Sequence, residues 1–209
     1  LASKCITAFT ASCLLAAASC GIAEAQSQHM TKQQARDLLQ QQRIDLLPEN
    51  LPQQIIGGNV EALDAMITLG VDVNAKTGLP QSPLELASTS CSNPEVKPAA
   101  TAHIVDSLVA AGANPNAPGI QGLGPLMIAA QQCGSLVIKH LIAAGAKLDS
   151  RTPQGFTPLS MALITKHYDA AEALIDAGAR ISPQAGDRLT QGSEDARLKD
   201  LVRRGTGGV

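Results

Sequence analysis

An all-α solenoid of about four helix-turn-helix repeats, with a helical cap at each end, is the fold that three features of this 209-residue chain predict. Near-identical segments reach a glycine at Gly70 (ITLGVDVN), Gly112 (VAAGANPN), Gly145 (IAAGAKLD) and Gly178 (IDAGARIS), and the last two steps are 33 residues each. Such a period marks stacked units that cannot bury their own apolar faces alone. Ser82-Pro83-Leu84, Gly124-Pro125-Leu126 and Thr157-Pro158-Leu159 each open an apolar stretch, and proline suits the first turn of a helix, where its missing N–H would have no partner. The composition is 44% hydrophobic but 1% aromatic, without tryptophan. A core of Ala, Leu, Ile and Val fits closely spaced short helices.

Taken in order, residues 1–25 read as a secretory signal peptide: Lys4, the apolar run Ile6 to Ala18, then Ala23-Glu24-Ala25 before Gln26. That run is shorter than the roughly 20 residues that span a bilayer. The expected mature chain begins at Gln26 and is soluble in a bacterial periplasm. Lipid attachment at Cys20 is the less favoured variant, because Ala17 stands where a branched residue is wanted. Residues 26–47 are expected to hold an N-terminal capping helix, with Thr31 and Gln34 forming a capping box and Ala35, Leu38 and Leu39 on one face. Repeats are expected over 48–182, the first being degenerate. The second carries an insertion at Asn93-Pro94-Glu95-Val96-Lys97-Pro98, read as a loop between its two helices because proline interrupts a helix. Residues 183–209 are expected to supply a C-terminal capping helix near Ser193 to Arg204, with Gly205 to Val209 fraying.

Gly155-Phe156-Thr157-Pro158-Leu159-Ser160-Met161-Ala162 running to Ala177-Gly178-Ala179, and Gly122-Leu123-Gly124-Pro125-Leu126-Met127-Ile128-Ala129 running to Ala144-Gly145-Ala146, resemble the ankyrin repeat. The resemblance implies β-hairpin-like turns between units. It also shows a departure: the family's usual histidine after Pro-Leu is Glu85, Met127 and Ser160 here, which predicts looser hairpin stacking.

Chemistry is not signalled. Net charge is −2, which gives no electrostatic case for nucleic acid or an anionic membrane. His29, His103, His140 and His167 fall at no metal-ligand spacing, so no metal or other cofactor is expected. The glycines of Gly119-Ile120-Gln121-Gly122-Leu123-Gly124 belong to the repeat register rather than to a phosphate loop. Glu61, Asp64, Asp169 and Glu172 are spaced like solvated helix faces, and no catalytic constellation is found. Outside the leader only Cys91 and Cys133 remain, each eight residues after its repeat proline. They read either as a disulfide stapling two repeats, suited to an oxidising compartment, or as free thiols serving as small helix-end residues.

The resemblance implies that a ligand would touch hairpin tips and the ends of first helices. Carried over by position, these are Leu79 and Gln81 in the second unit, Ile120, Gln121, Leu123, Gln131 and Gln132 in the third, and Gln154, Phe156 and Ile164 in the fourth. Hairpin packing is the alternative account of the same residues. The expected function is protein binding by a monomeric, non-enzymatic exported module, as an inhibitor, immunity-type partner or accessory of a periplasmic enzyme. A structural envelope component, or a small-molecule-binding or catalytic protein, are the alternatives.

Overall fold

A computed structural model describes residues 30–75 and 77–207. The signal-peptide reading, with Cys20 and the Gln26 start, lies outside these residues, as does His29. Eleven helices follow in order: α1 Lys32–Gln42, α2 Leu51–Ile56, α3 Val60–Thr68, α4 Pro83–Thr89, α5 Pro98–Ala110, α6 Pro125–Gln132, α7 Ser135–Ala143, α8 Pro158–Ile164, α9 Tyr168–Asp176, α10 Pro183–Thr190 and α11 Ala196–Gly205. No strand occurs among the described residues. The helices stack in two rows, α2, α4, α6, α8 and α10 in one and α1, α3, α5, α7, α9 and α11 in the other. Leu63, Met66, Ile104, Leu108, Ile138, Leu141, Leu159 and Leu174 fill the space between the rows and are fully buried.

Local signals place each helix end. Thr31, Ser82 and Thr157 cap α1, α4 and α8 through reciprocal bonds with Gln34, Glu85 and Ser160. Glu85 and Ser160 stand where the expected histidine is missing. The position therefore still carries hydrogen bonds, now closing a capping box: Ser82 N–H donates to Glu85 Oε2 at 2.9 Å and Thr157 N–H to Ser160 Oγ at 2.8 Å. At the other ends, the four repeat glycines adopt φ of 89°, 95°, 86° and 101°, a left-handed conformation that costs glycine no Cβ clash. This lets Gly112 N–H reach Val109 O and Ala113 N–H reach Leu108 O, both at 2.9 Å, and the same pair of bonds recurs after α3, α7 and α9.

Side-chain bonds between units hold the stack in register. Asn74 Nδ2 donates to Gly112 O at 3.1 Å and Asn116 Nδ2 to Gly145 O at 2.9 Å. On the outer row Asp64 of α3 meets His103 of α5, and Asp106 of α5 meets His140 of α7, both at 2.8 Å. Arg204 of α11 reaches back to Glu172 and Asp176 of α9 at 2.9 Å each, and Arg197 to Asp169. Asp64, Asp169 and Glu172 thus reach the next unit from solvent-facing positions.

Three expectations are corrected. The 183–209 segment holds two helices, α10 and α11, which pack as a shortened fifth unit. Ser182 caps α10 through Ala185 N–H, and Gly186 lies against Val202, where a Cβ would approach to 2.7 Å. Gly205 does not fray: it is buried, its carbonyl accepts Ile181 N–H at 3.0 Å, and it fits between Ile181 and Leu159. In the insertion, Pro98 starts α5 rather than lying in a loop, and Val96 folds down onto Gly58 of the first unit. The loop shrinks to the residues between Ser92 and Pro98.

The C-terminal unit also carries the clearest titration. Tyr168 Oη donates to Asp195, and Arg197 sits over the tyrosine ring at 5.4 Å. Burial first, then the hydrogen bond to Asp195 and its charge, push the phenol up to about 12. The same bond, with the backbone N–H of Leu198, holds Asp195 below the usual carboxylate range. Because the folded phenol pKa is raised, its contribution is complete below about pH 10 and is lost as pH climbs through about 12. Asp195 has a lowered pKa, so its contribution is present above the usual value of about 3.9 and fades as pH falls through the lower folded value. Tyr168 is the only tyrosine and there is no tryptophan. Ultraviolet titration of the folded chain should therefore show one ionisation near 12, with helicity followed at each pH. A midpoint near the ordinary value of about 10 in a still-helical chain would show that the Tyr168–Asp195 bond is not formed.

Candidate functional site

Of the eight exposed large hydrophobic residues among the described ones, four fall at the expected binding positions, while Leu46, Leu47, Ile56 and Leu136 fall elsewhere. Leu79 is 44% exposed, Ile120 46%, Phe156 41% and Ile164 45%, although each is large and hydrophobic. Gln121 and Gln154 are exposed, and Gln81, Leu123, Gln131 and Gln132 are half-buried. Gln121 takes a left-handed φ of 57° within the turn Ile120–Gly122. Gln132 Oε1 accepts from Ser92 Oγ at 2.9 Å, which joins the ends of the second and third first-row helices.

The turn of the fourth unit is built by Thr152, whose N–H donates to Phe156 O at 3.0 Å and whose Oγ1 accepts Phe156 N–H at 3.1 Å. With Gly155 at φ 86°, this turn lifts the Phe156 side chain off the backbone core. The third turn rests on the fourth, and a Cβ at Gly122 would approach Pro153 Cδ to 3.1 Å. Successive hairpins are thus in contact, as the packing account supposes, while their apolar tips stay exposed.

The structure brings only some of the expected residues together. Gln154, Phe156 and Ile164 line one groove of about 210 Å³ between α8, the fourth turn and α10. Leu79 and Gln81 belong to the second unit and Ile120, Gln121 and Leu123 to the third, and none of them lines it. Sequence reading missed Arg151, Arg180, Arg188 and Leu189, which share the groove. Their absence follows from missing α10, whose only sequence signal is Ser182-Pro183, a second copy of the Ser82-Pro83 start.

Cys91, in the single turn Ser90–Ser92 after α4, and Cys133, at the C-cap of α6, are bonded, with Sγ atoms 2.00 Å and Cα atoms 5.2 Å apart. Among the described residues no group of three His, Cys, Asp or Glu side chains is placed to hold a metal, and no helix is long and apolar enough to cross a membrane. The one serine near a histidine–aspartate pair, Ser107, donates to Asp64 Oδ1 at 2.7 Å. His103 Nε2 bonds to the other oxygen of the same carboxylate at 2.8 Å, so the serine and the histidine meet Asp64 rather than each other.

Two rows of short helices with left-handed glycine ends and turns projecting on one side define a helical-repeat solenoid. Residues 98–185 match the family model of ankyrin repeats, in three copies. This part of the chain is made of ankyrin repeats. The match begins at the first residue of α5, and α2, α3 and α4 continue the same stack ahead of it. No curated protein matches the chain. Ankyrin repeats are protein–protein interaction modules, typically without catalysis of their own.

Proposed function

We propose that this chain is an exported module that binds a protein partner through the hairpin side of its inner helix row, as an inhibitor, immunity-type partner or accessory of a periplasmic protein. The observation that carries the reading is the row of exposed large apolar side chains, Leu79, Ile120, Phe156 and Ile164, at turn tips and a helix end. Exposed apolar side chains gathered into a patch mark interaction sites, and Phe156 and Ile164 share one groove. Export is supported by the signal-like leader together with a disulfide, a bond that persists in oxidising compartments. The module acts as a monomer and uses no cofactor or nucleic acid.

Affinity capture with the purified, oxidised chain in periplasmic extract of the source cell tests this. A stoichiometric protein partner is expected, and Phe156→Ala should weaken its binding by about 2 kcal/mol or more if Phe156 is a hot spot. Because Phe156 is 41% exposed, the same change should alter folding stability by less than about 1 kcal/mol. A loss of about 3–5 kcal/mol in chemical denaturation would make Phe156 a packing residue and remove it from the binding surface. Failure to retain any partner under several conditions would remove the binding reading itself.

A further inference from the structure

The groove beside Phe156 is lined by three arginines. The chain has 18 acidic and 16 basic residues, yet Arg151, Arg180 and Arg188 all line this groove and no Asp or Glu does. Among the described residues none of the three makes an ion pair, whereas Arg197, Arg203 and Arg204, in α11, are each paired with a carboxylate. Arg180 donates to Ala179 O at 2.9 Å and Ile175 O at 3.5 Å, and Arg151 to Gly155 O at 3.4 Å. These backbone bonds anchor the two side chains without neutralising them. The same groove is lined by Phe156 and Ile164, both exposed, and by the half-buried Leu189.

We propose that this groove is a docking site for an acidic peptide segment of the partner, seating one apolar side chain on Phe156, Ile164 and Leu189 while flanking carboxylates bond to Arg151, Arg180 and Arg188. The inference rests on the protein-binding reading and narrows it to one class of partner. Guanidinium is suited to the task because its planar N–H fork matches a carboxylate in two parallel, charge-assisted bonds. A groove lined by both apolar side chains and three cations selects against neutral apolar peptides, which would leave the cations desolvated without partners, and against basic ones, which would be repelled. A single strand of nucleic acid would also meet the arginines. It needs a basic track along its backbone and stacking platforms for successive bases, whereas this site has one aromatic ring in a short groove.

A random twelve-residue peptide library displayed on phage, panned against the purified, oxidised chain, tests the proposal. The expected enrichment is for peptides in which two or more Asp or Glu flank a Leu, Ile, Met or Phe. Their binding, measured by anisotropy of the labelled peptide, should weaken by at least about tenfold in Arg151→Gln/Arg188→Gln and as salt rises from about 0.15 to about 0.5 M. Lys139→Gln, an exposed change on α7 in the other row, should leave it unchanged. The arginine pair avoids Arg180, which supports the end of α9, and a thermal melt confirms that the variant is folded. Peptides without acidic residues, peptides held equally by the arginine variant, or no enrichment would each overturn the acidic-peptide site, as would tighter binding of a labelled oligothymidine than of the selected peptides. Protein capture from extract that survives the arginine substitutions would leave the wider binding reading standing while this proposal fell.

Discussion

Removing the Cys91–Cys133 bridge should lower the free energy of unfolding by roughly 4 kcal/mol, the chain-entropy value for a closed loop of this size. The two residues are 42 apart in sequence, and the loop includes the insertion, α5, the third turn and α6. In a fold whose total stability is about 5–15 kcal/mol, that is a large fraction. Helices packed side by side lie about 8–10 Å apart, too far for a disulfide between equivalent points on α4 and α6. The bridge forms because neither cysteine is within its α-helix: Cys91 is in the following tight turn and Cys133 has extended backbone angles, so the Cα atoms come to 5.2 Å. Urea denaturation of the oxidised chain and of Cys91→Ala/Cys133→Ala should show the difference as a lower midpoint with a steeper slope, because the denatured chain without its cross-link is less compact. Two thiols that label in the native chain purified without reductant, or an unchanged midpoint, would defeat the expectation.

Much of the fold was legible because its signals are local. A glycine that must be left-handed, a proline at the first turn and a Ser or Thr before it are written within a few residues of each helix end, and the 33-residue register multiplies them. The first two repeats and the N-terminal cap could be placed from such signals even though the family match begins only at residue 98. The missed helix α10 shows the limit. Pro183 follows Pro158 by 25 residues because the fifth unit has no projecting hairpin, so it fell out of register and its proline was not read as a helix start.

The inter-unit ion pairs failed to register for a different reason. Along a single helix Asp64 or Glu172 has only solvent-facing neighbours. In a solenoid the relevant neighbour is about one repeat away: Asp106 and His140 are 34 apart, and Glu172 and Arg204 are 32 apart. Searching for opposite charges at the repeat period rather than the helical one would have found them. The groove was illegible for a stronger reason, since Arg151 and Arg188 come together only once α10 docks beside α8. The Phe156 tip was readable by position, but the charge that surrounds it was not.

The second large effect should fall at the middle of the stack. Leu141 on α7 is fully buried, and α7 packs on α5, α6 and α9, so truncation opens a cavity felt by the units on both sides. Leu141→Ala should cost about 3–4 kcal/mol, within the range for buried leucines. Leu201 on α11 is nearly as buried, at 2% exposure, but α11 packs mainly on α9 and α10. Repeat stability is close to a sum of unit and nearest-neighbour terms. The end unit can therefore open alone, and Leu201→Ala can cost the main transition no more than the coupling of that unit to its one neighbour. The urea midpoint of the main transition should accordingly fall further for Leu141→Ala than for Leu201→Ala, while amide exchange in α10 and α11 rises selectively in the latter. Equal losses from the two variants, with exchange rising uniformly, would mean that the terminal unit is locked into one cooperative block and that the nearest-neighbour account of this stack is wrong.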